Sequence, residues 1–431
     1  MKRRQFLGRS SALLGASVAP TIIPSSVFGQ SAPSKQITLG FIGMGGQGIR
    51  MNLQWFLNTP NTRTLAVCDC MMGRALEAKK MVDEKAGNSD CDVYQDFREV
   101  INRDDIDAIV ISTPDHWHVP MSLMALRAGK HVFCEKPTLT ITEGHEVVDE
   151  ALKRDLVFQW GIEDRHMQKY WILAGLARTG AIGEVEKVEC GLPNKPLFDV
   201  EAPAPIPEDL DWNLWLGPAP EVEYTPKVTH GQRWRQSIDY SGGSLTDWGS
   251  HYCDSAQIAI GMEESGPIEV VGTSKTLPDS SYVSVPSSYD VEFRYANGKV
   301  IQASDTLGRN YIRFIGSEGW IGCEKWNGQL VASDMNLFRN KDFPNHENYW
   351  KQPKKEQPEF IDAILDRSKT TSYHVDAGHK LSTMLHLGHM AVRSGTPIQW
   401  DPDKQQFAQD REKHEASIIY SRESRDWEKS S

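Results

Sequence analysis

Three residues carry the chemistry this sequence could perform: Lys136, Asp247 and His251. Lys136 lies in Cys134-Glu135-Lys136-Pro137, at the end of an apolar, strand-like run over 131–134. A lysine at the C-terminal lip of a parallel sheet faces the crevice where such sheets bind ligands. Its ammonium can donate a hydrogen bond or a proton beside a reacting hydroxyl, and partial desolvation is expected to lower its pKa. Pro137 fixes φ, removes a donor and holds the turn. Taken alone, the tripeptide reads better as a surface lysine in a strand-to-helix turn; the rest of the chain has to reverse that. Asp247 and His251 fall in Gly242-Gly243-Ser244-Leu245-Thr246-Asp247-Trp248-Gly249-Ser250-His251, four apart and so one turn apart on a helix face. A carboxylate there can orient an imidazole, or both can contact one polyol, and histidine's ordinary pKa suits proton transfer near neutrality. The competing reading is a capped helix start with a packed histidine. His386 and His389, at helical spacing, read as packing residues.

The elements that must position these groups alternate strand and helix. An apolar strand over 36–42 runs straight into Gly43-Met44-Gly45-Gly46-Gln47-Gly48, a G-x-G-x-x-G in its required context, with a helix expected after it. Gly43 allows the tight turn, Gly45 lets backbone approach a pyrophosphate, and Gly48 permits close helix–strand packing. The helix N-terminus supplies amide donors for the phosphates. A second strand, 64–67, leads to Asp69, 24 residues beyond Gly45. An acid there bonds the ribose hydroxyls and repels a 2′-phosphate, which favours NAD over NADP, although Arg74 on the next helix softens the preference. A short helix over 97–101 and a buried strand over 106–112 come next, ending at Thr113-Pro114-Asp115-His116-Trp117-His118. A helix over 118–128, the strand to Lys136, a helix over 142–154 and a strand over 156–160 close the unit. The spacing predicts a doubly wound parallel sheet. The cofactor-facing set is Gly43, Met44, Gly45, Gly46, Gln47, Gly48, Asp69, Thr113, Pro114, His118, Glu135 and Lys136.

Beyond residue 160 the pattern changes. A helix over 169–178 and a strand over 184–190 precede a Pro/Trp-rich loop, 193–226, with Trp212 and Trp215. Alternating strands are expected over 268–274, 288–295, 299–305, 311–316 and 319–323, then a helix over 376–393. The expected class is α/β: an N-terminal Rossmann domain (36–160), an α+β domain with an open-faced, mostly antiparallel sheet (161–400), and a charged tail (401–431) that wraps over the surface or a neighbouring subunit. The exposed sheet face favours a homodimer or homotetramer. Arg165, Trp234 and Trp248 are candidate substrate contacts.

The 431-residue chain carries a formal charge of −11. Setting aside residues 1–29 removes Lys2, Arg3, Arg4 and Arg9 and no acid, which leaves the remainder more acidic still. Such a chain is a poor candidate for nucleic acid or an anionic membrane, so a small ligand is expected. Lys2-Arg3-Arg4-Gln5-Phe6-Leu7 is a twin-arginine pattern followed by a mild apolar run over 11–23. Together with a small-residue site near Val27-Phe28-Gly29, it reads as a signal peptide over 1–29 for the twin-arginine export machinery and a periplasmic or exported protein. The apolar run is too short and interrupted for stable membrane insertion. Seven cysteines without C-x-x-C spacing read as free thiols, with no zinc or other metal site.

On GFIGMGGQG, AVCD, TPDHWH…ALRAGKHVFCEKP and GGSLTDWGSHYCD, the chain resembles the Gfo/Idh/MocA family over essentially its whole length after the signal. WNLWLGPAP, RWRQSIDYSGG and GHMAVRSGTPIQWDP resemble an exported bacterial branch of it. The resemblance implies a Rossmann domain, an open-faced second domain, and NAD(P)-dependent oxidation or reduction of sugars and cyclitols. The family's catalytic lysine falls on Lys136, and its acid and histidine fall on Asp247 and His251. Exported members that cleave glycosides carry a histidine-centred motif where this chain keeps Asp247-x-x-x-His251, which argues for the dehydrogenase type. Asp115 stands where asparagine is common, which weakens one nicotinamide-side contact. Two rival readings remain: redox-neutral glycoside cleavage with tightly bound NAD, and a non-enzymatic NAD-dependent binding protein.

Overall fold

The first sheet is laid down by short apolar strands that alternate with helices. The computed structural model describes residues 36–429 apart from 195, 196, 198, 200, 231, 232, 281, 308, 309, 341 and 342. The twin-arginine motif, the apolar run and the cleavage site lie outside the described residues. The opening strands are β1 (Ile37–Ile42) and β2 (Thr62–Cys68), followed by α1 (Met72–Ala86), β3 (Asp92–Tyr94), α2 (Phe97–Ile101) and β4 (Ala108–Ile111). Then come α3 (Asp115–Arg127), β5 (His131–Glu135), α4 (Ile141–Arg154) and β6 (Phe158–Gly161). Their order, β3-β2-β1-β4-β5-β6, with every pair parallel, is that of a doubly wound dinucleotide-binding sheet. Ala108–Ile111 is buried at every position, as a central strand covered on both faces must be. Thr140 and Glu143 form a reciprocal capping box at the start of α4, which fixes where that helix begins.

One helix starts earlier than expected. α3 begins at Asp115, with Pro114 at its N-cap, so the Asp-His-Trp-His run lies within its first turn. Pro114 cannot donate and its φ of −61° suits a helix start.

The second half contributes α5 (Gln168–Arg178), β7 (Val185–Gly191), α6 (Trp212–Leu216) and α7 (Gly243–Ala259). A nine-stranded sheet takes β7 together with β8 (Glu269–Thr276), β9 (Ser287–Arg294), β10 (Val300–Ser304), β11 (Tyr311–Gly316), β12 (Gly319–Cys323) and β13 (Leu330–Ala332). After α8 (Glu356–Leu365) and α9 (Val375–Ser394), β14 (Ile398–Asp401) and β15 (Gln406–Phe407) extend its edge. Pairing is antiparallel except between β7 and β10, so the sheet is mixed but mostly antiparallel. Helices α7 and α9 cover one face.

The two halves interlock. α8 reaches back under the first sheet, where Phe360 joins Phe41, Phe56 and Phe133 in edge-to-face contacts with ring centroids 5.3–6.2 Å apart. The charged tail folds onto its own chain. Trp427 is buried against Trp117 and Phe97, at 5.1 and 5.9 Å, and Arg98 lies over its ring. Arg422 donates to the Asp239 and His116 carbonyls, and Arg425 to Asn213 and the Gly217 carbonyl. Trp427→Ala is expected to cost about 3 kcal/mol, the low end for a buried tryptophan because the site is near the surface. Denaturant unfolding checks this; an unchanged midpoint would remove the tail from the core. Among the described residues no helix is long and apolar enough to cross a membrane.

Candidate active site

At the C-terminal edge of the first sheet, the glycine loop forms a cradle. Gly43 sits at φ +89°, and a Cβ there would meet Ser112 backbone at 2.7 Å. A Cβ on Gly48 would lie 2.0 Å from the Gly43 carbonyl oxygen, so only glycine lets the following helix start this close to the strand. That helix opens as a π-turn, Gly48–Leu53. Gly45 faces open space, with Arg74 Nη1 the nearest atom at 4.0 Å. The cradle opens on a groove of about 470 Å³, lined by Gly43–Gln47, Asp69, Arg74, Thr113 and Pro114. Thr113 Oγ1 is buried without a partner there. An open glycine and an orphaned hydroxyl beside such a groove fit a dinucleotide.

Asp69 is buried and braces the loop: Oδ2 accepts from Met44 N at 2.7 Å and Oδ1 from Met71 N at 2.8 Å. Burial lifts its carboxyl above the ordinary range, against the pull of Arg74 and those two amides. Glu135 Oε1 accepts from Gln47 Nε2 at 3.1 Å and Asn52 Nδ2 at 2.9 Å, tying β5 to the glycine loop and the helix after it. His118 joins two turns, its ring nitrogens 2.8 Å from the Pro137 carbonyl and 2.9 Å from that of Thr113. Burial drives its pKa down to about 4, so the neutral ring donates to one carbonyl at a time. This strut connects the Thr113 and Lys136 turns.

Leu214 and Trp215 from the Trp-rich loop, with Thr229, Trp234 and Arg235 from the segment after it, line the groove's other side. That loop is fastened at the adenosine end. Met72 N donates to Asp209 O at 2.9 Å, Asp211 N to Cys70 O at 2.9 Å, and Arg74 Nη2 to Thr229 O at 3.2 Å.

A smaller cavity of about 210 Å³ adjoins it, sharing Gln47, Ser112, Thr113 and Arg235. Here Lys136, Asp247 and His251 meet. Lys136 Nζ lies 2.8 Å from Asp247 Oδ1 and donates also to the Asp247 carbonyl at 3.0 Å. Burial pulls the ammonium down, but Asp247 and Glu135 outweigh it and hold Lys136 above the usual lysine range. The lowering expected from desolvation is thus reversed, because the sheet edge delivers a carboxylate along with the low dielectric. Asp247 Oδ2 contacts Arg235 Nε at 2.9 Å. Burial opposes ionisation of Asp247, yet Arg235 and Lys136 hold its carboxyl far below the ordinary range. Asp115, its Oδ2 accepting from Ser241 Oγ at 2.7 Å, is lifted to about 7 by burial and by Asp247, partly offset by Arg235.

His251 is held by a residue the sequence reading passed over. Its Nδ1 lies 2.5 Å from Asp164 Oδ2, and Asp164 Oδ1 accepts from Trp326 Nε1 at 2.6 Å. Of the two roles open to Asp247, orienting the imidazole therefore goes to Asp164. Burial and Lys136 favour the neutral ring, but Asp164 and Glu163 move His251 above its ordinary pKa. Trp248 lines the cavity, its ring 5.5 Å from that of His251, and Trp234 borders the groove with Arg235 over its ring at 4.1 Å. Arg165, expected as a substrate contact, is turned away. Its guanidinium is buried on Asp254, donates to the Ser372 carbonyl and stacks on Tyr373 at 4.3 Å. Among the described residues no group of three His, Cys, Asp or Glu side chains could hold a metal, and all seven cysteines are free thiols.

Asp164 follows β6, so the rule that selected Lys136 at a strand's C-terminal edge also selects this loop. Arg235 lies in a single 3-10 turn, Arg233–Gln236, and Trp326 in a tight turn after β12, segments too short to give a periodic signal.

The fold and the cradle together define an NAD-binding oxidoreductase architecture. The chain belongs to the Gfo/Idh/MocA oxidoreductase family: residues 37–162 match its NAD-binding Rossmann fold, and residues 199–429 its C-terminal alpha/beta domain. An alpha-N-acetylgalactosaminidase from Shewanella oneidensis is 32% identical over 180 residues, spanning 39% of this chain and 38% of that protein. The match thus covers about two fifths of the curated relative. In structure the chain is similar to an aldose-aldose oxidoreductase from Caulobacter crescentus, with a TM-score of 0.61 and 19% identity over 84% of this chain and 99% of that one. It is also similar to a myo-inositol 2-dehydrogenase from Lactobacillus plantarum, with a TM-score of 0.61 and 18% identity over 85% and 99%. At such identities these likenesses establish the fold.

Proposed function

We propose that this protein oxidises or reduces a hydroxyl-bearing carbon of a sugar, glycoside or cyclitol, with NAD as its redox partner. The observation that carries the reading is the convergence of Lys136, Asp247 and His251 on a cavity adjoining the glycine-lined groove. NAD, when bound, supplies a hydride acceptor or donor at its nicotinamide ring. Gly43–Gly48, Asp69, Thr113 and Pro114 would hold it, with Asp69 favouring NAD over NADP. Glu135 and His118 act on the cofactor site by fixing the loops around it.

Lys136 stays charged at neutral pH, so its role is that of a hydrogen-bond donor to the reacting oxygen, which stabilises negative charge as the hydroxyl proton leaves. His251 is the base. Asp247 fixes Lys136 and Arg235 in place, and Trp248 and Trp234 flank the substrate. Acid–base assistance of this kind is worth ~10²–10⁴-fold. Because His251 must be neutral to accept a proton and its pKa is raised, kcat/KM for oxidation is expected to climb with pH through a limb above about 6.5. A pH–rate profile that is flat from 6 to 8.5 would remove His251 from the role.

A second reading is supported by the alpha-N-acetylgalactosaminidase relative. Transient oxidation of the carbinol two carbons from the anomeric centre would acidify the intervening C–H, and loss of that proton would expel the aglycone. Water addition, followed by return of the hydride from the retained cofactor, would give the free sugar with no net redox change. Chromogenic glycosides separate the two. Aglycone release without net nicotinamide reduction favours cleavage, and reduction without aglycone favours the dehydrogenase. A binding protein without catalysis gives neither, and Lys136→Ala and His251→Ala would leave it functional. Export by the twin-arginine machinery to the periplasm, and homodimer or homotetramer formation through the open sheet face, complete the proposal; cell fractionation and sedimentation test them.

A further inference from the structure

We propose that Asp164 and Trp326 are a positioning pair that fixes the tautomer of His251, so that Nε2 is the ring atom that exchanges a proton. The part played by Nε2 rests on the dehydrogenase reading; the tautomer rests on geometry alone. Asp164 is fully buried in the short turn Glu163–His166 after β6. Its Oδ1 accepts the indole N–H of Trp326 at 2.6 Å, a group that only donates. That contact pins the carboxylate and leaves Oδ2 as acceptor for His251 Nδ1 at 2.5 Å. A neutral imidazole held this way carries its hydrogen on Nδ1 and its lone pair on Nε2.

Asp247 cannot take over the task. It lies one turn away on the same helix, but its two oxygens are engaged by Lys136 and Arg235. The two carboxylates therefore divide the work: Asp247 holds the cations, and Asp164 holds the base. A third group orienting the base is the general logic of activated acid–base pairs. The charged groups that face His251 are Asp164 and Glu163 from the turn after β6, Lys136 from the end of β5, and Asp247 from its own helix. Removing the Asp164 charge leaves Lys136 opposing protonation with less against it. The acid limb of the rate profile should then move to lower pH.

The test uses the full chain with its cofactor, labelled with ¹⁵N-histidine. In the wild type and in Asp247→Asn, the His251 nitrogen shifts should report the Nδ1–H form, and in Asp164→Asn they should not. Trp326→Phe, a milder change that removes only the indole donor, should keep that form but with an altered Nδ1 proton shift. In turnover, Asp164→Asn should lower kcat by about 10²-fold or more with KM little changed, and Asp164→Glu should recover part of it. A wild-type His251 protonated on Nε2 overturns the proposal, as does an Asp164→Asn protein with unaltered tautomer and pH profile. Should the tautomer change as expected while no sugar or glycoside is turned over, the dehydrogenase reading fails and the positioning pair stands.

Discussion

Lys136→Met is expected to lower turnover by about 10²–10⁴-fold while the protein still folds and still holds nucleotide. The ammonium, carried just past the end of β5, donates into the cavity, and methionine keeps the stem volume while removing charge and hydrogen bonds. Asp247 would then depend on Arg235 alone, 2.9 Å from its other oxygen. Breaking a buried pair outright costs about 3–5 kcal/mol; the remaining arginine should hold the stability loss below that range. Turnover, nucleotide content and unfolding midpoint, measured together, separate a catalytic loss from a folding loss. Undiminished turnover would place the chemistry elsewhere.

The second large effect concerns the cradle. Gly45→Ala adds a methyl group into open space, 4.0 Å from the nearest protein atom, so the fold should be unaffected. Yet that methyl group projects where a pyrophosphate must approach, and nucleotide affinity should fall at least tenfold, about 1.4 kcal/mol or more. Gly48→Ala should fail differently. Its Cβ would lie 2.0 Å from a carbonyl oxygen of the backbone, which has no rotamer to escape into, so stability and binding should fall together. Calorimetric titration with NAD and thermal melts distinguish the two. Equal affinities for Gly45→Ala and the wild type would mean that nucleotide does not sit against the loop.

Much of this was legible in the sequence because the first half follows local rules. Residues 97–101 form a helix as expected, and the alternation of apolar strands and helices ending in Gly43, Asp69, Thr113 and Lys136 points to a doubly wound parallel sheet, although the three-residue edge strand Asp92–Tyr94 is too short and polar to announce itself. The pairing of Lys136 with Asp247 across 111 residues was suggested by residue type and resemblance, and geometry supplied the contact. What escaped has a physical cause in each instance. Helix Glu356–Leu365 presents Phe360 and Ile361 to the first sheet, but its short apolar stripe gives no hint that its partners are Phe56 and Phe133. The tail reads as charge, yet Trp427 packs it against Trp117 on α3 and Arg425 ties it to Asn213 and Gly217 of the Trp-rich loop. Lys136 was expected to be depressed because burial is foreseeable from sequence, whereas the 2.8 Å carboxylate that reverses the shift is not.

The most direct test of the central claim is single-turnover nicotinamide absorbance on the purified full-length protein mixed with a panel of pyranoses, glycosides and cyclitols. The account predicts a reduced-nicotinamide signal with at least one of them in the wild type, at least about 10²-fold slower in Lys136→Met and His251→Ala. A signal that forms equally fast in both variants, or a protein that neither retains nor binds NAD, would contradict it.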